Sequence, residues 1–332
     1  MAAKYHVAIV GATGAVGIEL LRVMERRDFP VADLRLLASV RSAGKRLKFR
    51  DREFPVEVLN DDSFAGIDLA FFSAGSGTAK QFAPLARRAD AIVIDNSSAF
   101  RMDSGVPLVI PEINPADIRG HRGTIANPNC TTAIALMGLY PLHRAFGLRR
   151  VFAASYQAVS GSGARAIEEL RQQVAANSSG REAIAEVYPH PIAFNALPHV
   201  DSFLQSGYTR EEMKMQSEGS KIMHLPNFRA SVTCVRVPVY RAHSVAMSAE
   251  FERPVSVDAA RDVLAKAPGL DLVDEPSASH YPTPLAAAGK DNCQAGRLRL
   301  DCALENGLSL WVCGDQLLKG AALNAVQIAE LL

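Results

Sequence analysis

His6-Val7-Ala8-Ile9-Val10-Gly11-Ala12-Thr13-Gly14-Ala15-Val16-Gly17 is the stretch that decides the fold. His6 to Val10 reads as a parallel strand buried on both faces, because such strands lose the apolar–polar alternation. A glycine-spaced turn follows, and then an amphipathic helix through Leu20, Leu21, Val23 and Met24. Strand, glycine turn and helix open a dinucleotide-binding fold. Gly11 permits the tight turn, Gly14 lets the backbone approach a pyrophosphate, and Gly17 lets the helix pack on the strand. Thr13, Ala15 and Val16 complete the candidate phosphate loop. The spacing is G-x-x-G-x-x-G rather than the commoner G-x-G-x-x-G, so the signal rests on its strand–helix context.

Working outward, Asp33 to Ala38 reads as the second strand, and it ends in Ser39-Val40-Arg41-Ser42. NAD-binding versions carry an acidic residue here for the ribose 2′-hydroxyl. Ser39, Arg41 and Ser42 stand in its place and suit a 2′-phosphate, which makes NADP the expected cofactor. The alternative is a solvated basic loop. Leu69 to Phe72 runs into Ser73-Ala74-Gly75, and Ala91 to Ile94 runs into Asp95-Asn96-Ser97-Ser98, with a helix from Thr78 to Arg88 between them. This is a βαβ series, and ligands lie beyond the carboxyl ends of such strands, where Ser73 and Gly75 stand. Arg101 follows and could hold an anion, or could simply be solvated.

A second stretch carries the chemistry: Asn127-Pro128-Asn129-Cys130-Thr131-Thr132, preceded by an irregular segment at Arg119 to Gly123. The apolar run Ala133 to Tyr140 reads as a buried helix, which puts Cys130 at or near a helix start. Unpaired backbone N–H groups and the positive dipole end favour a thiolate there, the attacking species of covalent acyl chemistry. The competing reading is a small buried hydrophobe, the usual fate of a free cysteine.

Beyond Tyr140 the pattern becomes long, antiparallel-looking strands: Arg150 to Val159, Ala230 to Tyr240, Ser244 to Phe251, Gln294 to Asp301 and Leu308 to Cys313. Helices fall at Ala164 to Ala176 and Arg210 to Met223, and Gln172 to Gly180 reads as a polar surface turn. The final helix, Leu317 to Leu332, is apolar on more than one face and is expected to return to the first domain. The fold class is therefore α/β, a Rossmann-type dinucleotide-binding domain (1–128 with 315–332) and a mixed α+β domain (129–314).

Length fits two domains, and 48% hydrophobic with 21% charged residues is an ordinary globular composition. A net charge of +1 gives no sign of a nucleic-acid or membrane surface. Five widely spaced cysteines without a C-x-x-C pair argue against structural zinc and against a disulfide framework. Cys234, Cys302 and Cys313 read as core, and Cys293 as a loop residue. No apolar run reaches the ~18 residues of a membrane span. The expected compartment is the cytoplasm.

The remaining motifs are Tyr156-Gln157-Ala158-Val159-Ser160-Gly161-Ser162-Gly163, Glu211-Glu212-Met213-Lys214, and Cys234-Val235-Arg236-Val237-Pro238-Val239 through His243-Ser244. To these add Pro282-Thr283-Pro284 and Gly314-Asp315-Gln316-Leu317-Leu318-Lys319-Gly320-Ala321-Ala322. In order and spacing, with the Gly11–Gly17 loop, Ser39 to Lys45 and Asn127 to Thr132, they resemble the bacterial-type aspartate-β-semialdehyde dehydrogenase family nearly end to end. The resemblance implies a nucleophile at Cys130, an acid/base at His243, and a substrate- or acyl-orienting Gln157. It implies Arg236 on a substrate α-carboxylate, Glu211 on its ammonium, and Arg101 and Lys214 on inorganic phosphate or an acyl phosphate. Gln316 would touch the nicotinamide end, with Ser160 and Gly161 also on the cofactor. It also implies a homodimer formed through the second domain. The chain departs from the family pattern at three places: Gln216-Ser217-Glu218 after Lys214, Ser76 after Gly75, and Arg241 two residues before His243, where a smaller side chain is expected.

The implied reaction is the reversible reductive dephosphorylation of L-aspartyl-4-phosphate to L-aspartate-4-semialdehyde and inorganic phosphate. It passes through a cysteine thioester, in lysine, methionine and threonine biosynthesis. The residue types suit it. A thiolate adds to the carbonyl, a histidine manages the proton, and a thioester stays open to phosphate. A planar arginine fork orients a carboxylate. Two rivals remain at this level. N-acetyl-γ-glutamyl-phosphate reductase runs the same chemistry on a substrate without a free ammonium, which a paired Glu211 and Arg236 disfavour. A catalytically silent NADP-binding paralogue is disfavoured by the presence of Cys130.

Overall fold

The computed structural model describes residues 4–332. The opening strand is β1 (Tyr5–Val10), followed by the glycine turn and α1 (Ala15–Arg26), which buries Leu20, Leu21, Val23 and Met24. Then come β2 (Val31–Ala38), β3 (Arg46–Phe49), β4 (Arg52–Val58), β5 (Leu69–Phe72), α2 (Ser76–Arg88), β6 (Ile92–Asp95) and β7 (Thr124–Ala126). They form one sheet in the order β3-β4-β2-β1-β5-β6-β7, parallel except at the β3–β4 hairpin. The order turns back at β1, whose neighbours are β2 and β5, so a crevice opens beyond their carboxyl ends. Beneath α2, Val10, Phe64, Phe72, Ala79, Ala83 and Val93 form a dry core. Small alanines on the helix suit its close approach to the sheet.

The second unit begins with α3 (Cys130–Phe146), whose residues Thr131 to Leu139 are all buried. A helix apolar all round belongs inside a core. Next are β8 (Leu148–Gln157), α4 (Ala164–Ser178), α5 (Arg210–Ile222), β9 (Arg229–Arg236), β10 (His243–Phe251) and α6 (Val257–Leu264). The unit continues with β11 (Leu270–Leu272), α7 (Pro284–Ala287), β12 (Cys293–Leu300) and β13 (Gly307–Gly314). The sheet order is β11-β12-β13-β10-β8-β9. The chain closes with a π-helical turn, Leu318–Ala322, and α8 (Leu323–Ala329). The two units comprise the described residues to Asn129 with Ala321–Leu332, and Cys130–Gly320. In the first unit the closing segment is tied down by Arg27, which donates twice to Glu330 at 2.7 Å, and by Asn324, which donates to Val109 and Asn127.

Several expectations need correction. The strands are not all antiparallel: β8 pairs with β9, and β11 with β12, in parallel. The chain between β8 and β9 holds α4 and α5, the long crossover that a parallel pair requires. Gln172 to Ser178 is not a turn but the end of α4, because Gln173 is buried and bonds Ile184, Ile192 and Ala193. Cys302 is exposed just past β12, while Cys293 is fully buried at that strand's start. The last helix is interrupted by the π turn.

Candidate active site

In the first unit, Gly11 has φ +87°, and a Cβ there would collide with the Ser73 carbonyl. One at Gly17 would strike the Gly11 carbonyl. The turn is thus drawn tight, and Gly14 heads α1 with no side-chain cap, leaving backbone N–H groups for an anion. A groove of about 580 Å³ runs past Gly11, Thr13, Gly14, Ser39, Arg41, Ser73 and Thr78. Thr13 Oγ1 donates to Ser42 Oγ at 3.1 Å, joining the phosphate loop to the end of β2. Gly75, at φ +85°, precedes α2 with open space around it, and Ser76 bonds Ser98. Arg101, also in this unit, is buried and donates to the carbonyls of Asn127 (2.9 Å) and Asn96 (2.8 Å).

The other candidates all lie in the second unit. Cys130 is the first residue of α3 and is half-buried. A Cβ on Gly320 would sit 2.7 Å from Cys130 Cβ, so the π turn bears directly on the cysteine. The neighbouring Thr131 accepts from Gln157 Nε2 at 2.8 Å, which also reaches Ser155 Oγ and Glu211 Oε1. Three acceptors commit that amide nitrogen to the protein. Glu211 Oε2 accepts from Lys214 at 2.7 Å, and Lys214 also meets Asp201 at 3.2 Å. Glu211 begins α5 beside a capping box made by Thr209 and Glu212. Burial pushes the thiols of Cys234 and Cys313 up to about 12 and about 11, so both stay protonated.

Arg236 is the last residue of β9, not a mid-strand one, and is buried. Its Nη1 donates to the Ala158 carbonyl at 2.8 Å, and its guanidinium lies 5.8 Å from the Tyr188 ring centre. Its Nε has no partner among the described residues. His243 opens β10 and is fully buried. Its Nδ1 accepts from the Ala158 N–H at 3.0 Å. A backbone amide can only donate, so the neutral ring carries its proton on Nε2, and that atom too lacks a partner. Burial, and secondarily the Arg236 charge, holds His243 well below its ordinary value. Two unpartnered donors in a closed interior are costly unless something else satisfies them.

The sequence reading missed the clamp that sets this corner. Asp315, wholly buried, accepts from Arg241 Nε (2.5 Å) and from the N–H groups of Gly289, Leu317 and Leu318. Arg241 therefore turns toward Asp315. Gln316 accepts from the Ala242 N–H at 2.8 Å and donates to Ser160 Oγ. Ala242, at φ +73°, is a strained non-glycine residue held between these bonds. The oversized Arg241 and the Asp315-Gln316 motif were the signals in the sequence that pointed here.

The comparisons follow this architecture. The described profile of a semialdehyde dehydrogenase NAD-binding domain matches residues 6–121, and that of a semialdehyde dehydrogenase dimerisation domain matches residues 139–319. Together they define an NAD(P)-linked oxidoreductase of the semialdehyde dehydrogenase class. The aspartate-semialdehyde dehydrogenase of Aquifex aeolicus is 52% identical, with 99% of this chain and 98% of the relative covered. That of Bacillus subtilis is 47% identical, covering 98% and 97%. The crystal structure of aspartate semialdehyde dehydrogenase II from Vibrio cholerae complexed with ASA has a TM-score of 0.97 at 42% identity, covering 100% and 98%. The chain belongs to the aspartate-semialdehyde dehydrogenase family. Among the described residues no helix is long and apolar enough to cross a membrane, and no group of three or more His, Cys, Asp or Glu could hold a metal.

Proposed function

We propose that the chain interconverts L-aspartate-4-semialdehyde and L-aspartyl-4-phosphate with NADP through a thioester on Cys130. The observation that carries this is the pair of buried, unpartnered donors, Arg236 Nε and His243 Nε2, in the same unit as a cysteine at a helix start. The Cys130 thiolate, favoured at the first residue of α3, adds to the aldehyde carbon. His243 offers Nε2–H to the carbonyl oxygen as it gains charge. A bound nicotinamide would supply the hydride acceptor for that carbon. Phosphate then attacks the thioester, and the thiolate of Cys130 leaves. Arg236 holds the α-carboxylate with its planar fork. Glu211, paired with Lys214, takes the ammonium; Lys214 serves the phosphate from the second unit, and Arg101 is the anion-binding candidate of the first. The names of the relatives favour this over an N-acetylated substrate.

Gly11, Thr13, Gly14, Ala15, Val16 and Gly17 would hold the pyrophosphate of the cofactor, and Ser39, Arg41 and Ser42 its 2′-phosphate. Support for NADP is the absence of an acidic residue after Ala38, with Arg41 exposed at the groove. A homodimer is supported by the dimerisation-domain match and by the uncovered aromatics Phe152 and Tyr156 on one face of β8. The setting is cytoplasmic, where free cysteines stay reduced. The test is NADPH formation from L-aspartate-4-semialdehyde with and without phosphate. Turnover that ignores phosphate, or runs only on the N-acetylglutamyl analogue, refutes the proposal.

A further inference from the structure

We infer that Tyr188 is a positioning residue for Arg236. The face of its ring holds the guanidinium in place and leaves the N–H groups of the fork for a substrate carboxylate. The inference rests on the function proposed above.

Arg236 is a buried cation with few supports. Its Nη1 donates to the Ala158 carbonyl at 2.8 Å, and among the described residues no carboxylate pairs with it. Buried charges ordinarily need a partner. Tyr188 supplies the second support, its ring centre 5.8 Å from the guanidinium carbon, within the ~6 Å reach of a cation–π contact. A protein carboxylate in that place would take N–H donors and compete with the substrate's own. A ring face attracts the cation and takes no donor, so Arg236 Nε stays open. The ring is itself fixed from both sides. Its hydroxyl donates to the Val159 carbonyl at 3.4 Å, and the ring packs against Val159, Leu170 and Ile192. The backbone on either side is fastened to α4. Glu169, buried, accepts from the N–H groups of Glu186, at 3.0 Å, and Val187. Gln173, one turn further along, accepts from those of Ile192 at 2.8 Å and Ala193 at 2.9 Å. Residues four apart share one helix face, so one face of α4 grips the segment before and after Tyr188. A loop merely crossing the surface leaves such groups to water.

The experiment is steady-state kinetics on Tyr188→Phe, Tyr188→Leu and a protein with trifluorophenylalanine at position 188. All keep apolar bulk, but the ring's negative face is kept by phenylalanine, drained by fluorine and absent in leucine. KM for L-aspartate-4-semialdehyde should stay within about twofold of wild type in Tyr188→Phe and rise about three- to thirtyfold in the other two. KM for NADP and for phosphate should hold, and kcat should change less than KM. The fluorinated ring keeps the shape of phenylalanine, so it decides the matter even if Tyr188→Leu fails to fold. Equal KM in the phenylalanine and fluorinated proteins overturns the inference, and so does a rise confined to the NADP KM or a loss confined to kcat. A second readout needs no turnover. L-2-aminobutyrate carries the substrate's carboxylate and ammonium with a methyl in place of the aldehyde, and it should protect Cys130 from iodoacetamide. The concentration that protects should climb in the same order as KM. If it climbs while no protein turns over the semialdehyde, the positioning stands and the proposed reaction fails. Equal protection in every protein overturns the inference and leaves the reaction standing. No protection even in wild type removes Arg236 from the carboxylate and the inference with it.

Discussion

Replacing Gly320 by alanine should damage catalysis by displacing Cys130. The added Cβ would lie 2.7 Å from Cys130 Cβ and 3.1 Å from its Cα, with Gln316 Cβ at 3.4 Å behind it. Carbon atoms pack at about 3.5 Å or more, so cysteine and π turn must part by about 0.8 Å. Cys130 heads a helix whose residues Thr131 to Leu139 are all buried, so its first turns cannot retreat into empty space. Overpacking of this kind costs about 1–3 kcal/mol. Gly320 has no positive φ, so the backbone itself accepts alanine. Misplacing a reacting atom by about 1 Å costs around a hundredfold in rate, so kcat should fall about ten- to hundredfold. The assay is steady-state kinetics beside iodoacetamide labelling of Cys130, followed by mass spectrometry with the exposed Cys302 as internal reference. Labelling of Cys130 should slow relative to Cys302 while NADP affinity holds. A lower melting temperature with unchanged kcat would refute the reasoning, because the strain would then have been relieved away from the cysteine.

Arg41→Ala should weaken NADPH binding by about 1.5–3 kcal/mol and leave NADH unaffected, by titration of cofactor fluorescence; equal losses would show that Arg41 does not read the 2′-phosphate. Glu211→Gln should lower kcat/KM for L-aspartate-4-semialdehyde far more than for the analogue lacking the α-amino group, and equal effects would remove Glu211 from the ammonium. Arg236→Lys keeps the charge but loses the fork, so it should raise KM and lower kcat/KM markedly. His243 is held below its ordinary 6.5 by burial, so the unfolded chain binds a proton that the folded chain refuses. Its stabilising share is therefore present above about pH 6.5 and is lost as pH falls. His243→Asn should make the melting temperature decline less steeply than wild type between about pH 7 and pH 5, and an identical slope would contradict this.

How much could be read from the chain depended on distance along it. The glycine turn was legible because strand, turn and helix are contiguous and each glycine has a local steric reason. Cys130 at the head of α3 was legible because an unbroken apolar run follows it. The parallel pairing of β8 with β9 was not, since periodicity within a strand says nothing of its partner's direction. The β3–β4 hairpin was missed because its strands are charged and lie on the sheet edge. The Arg241–Asp315 pair joins residues 74 positions apart, so an oversized side chain was visible but not its purpose. Gly320 was visible only as a motif letter, because Cys130, which it makes room for, is distant in sequence.

The central claim is that Cys130 carries the acyl group, and one experiment addresses it directly. Protein at high concentration is mixed with NADP and L-aspartate-4-semialdehyde without phosphate, and NADPH is followed in a stopped-flow instrument. The account predicts a burst that stops near one NADPH per chain, an acylated Cys130 peptide by mass spectrometry, and renewed turnover with loss of the adduct when phosphate is added. A Cys130→Ala protein that still turns over, or an adduct on Cys302 with Cys130 free, would contradict it.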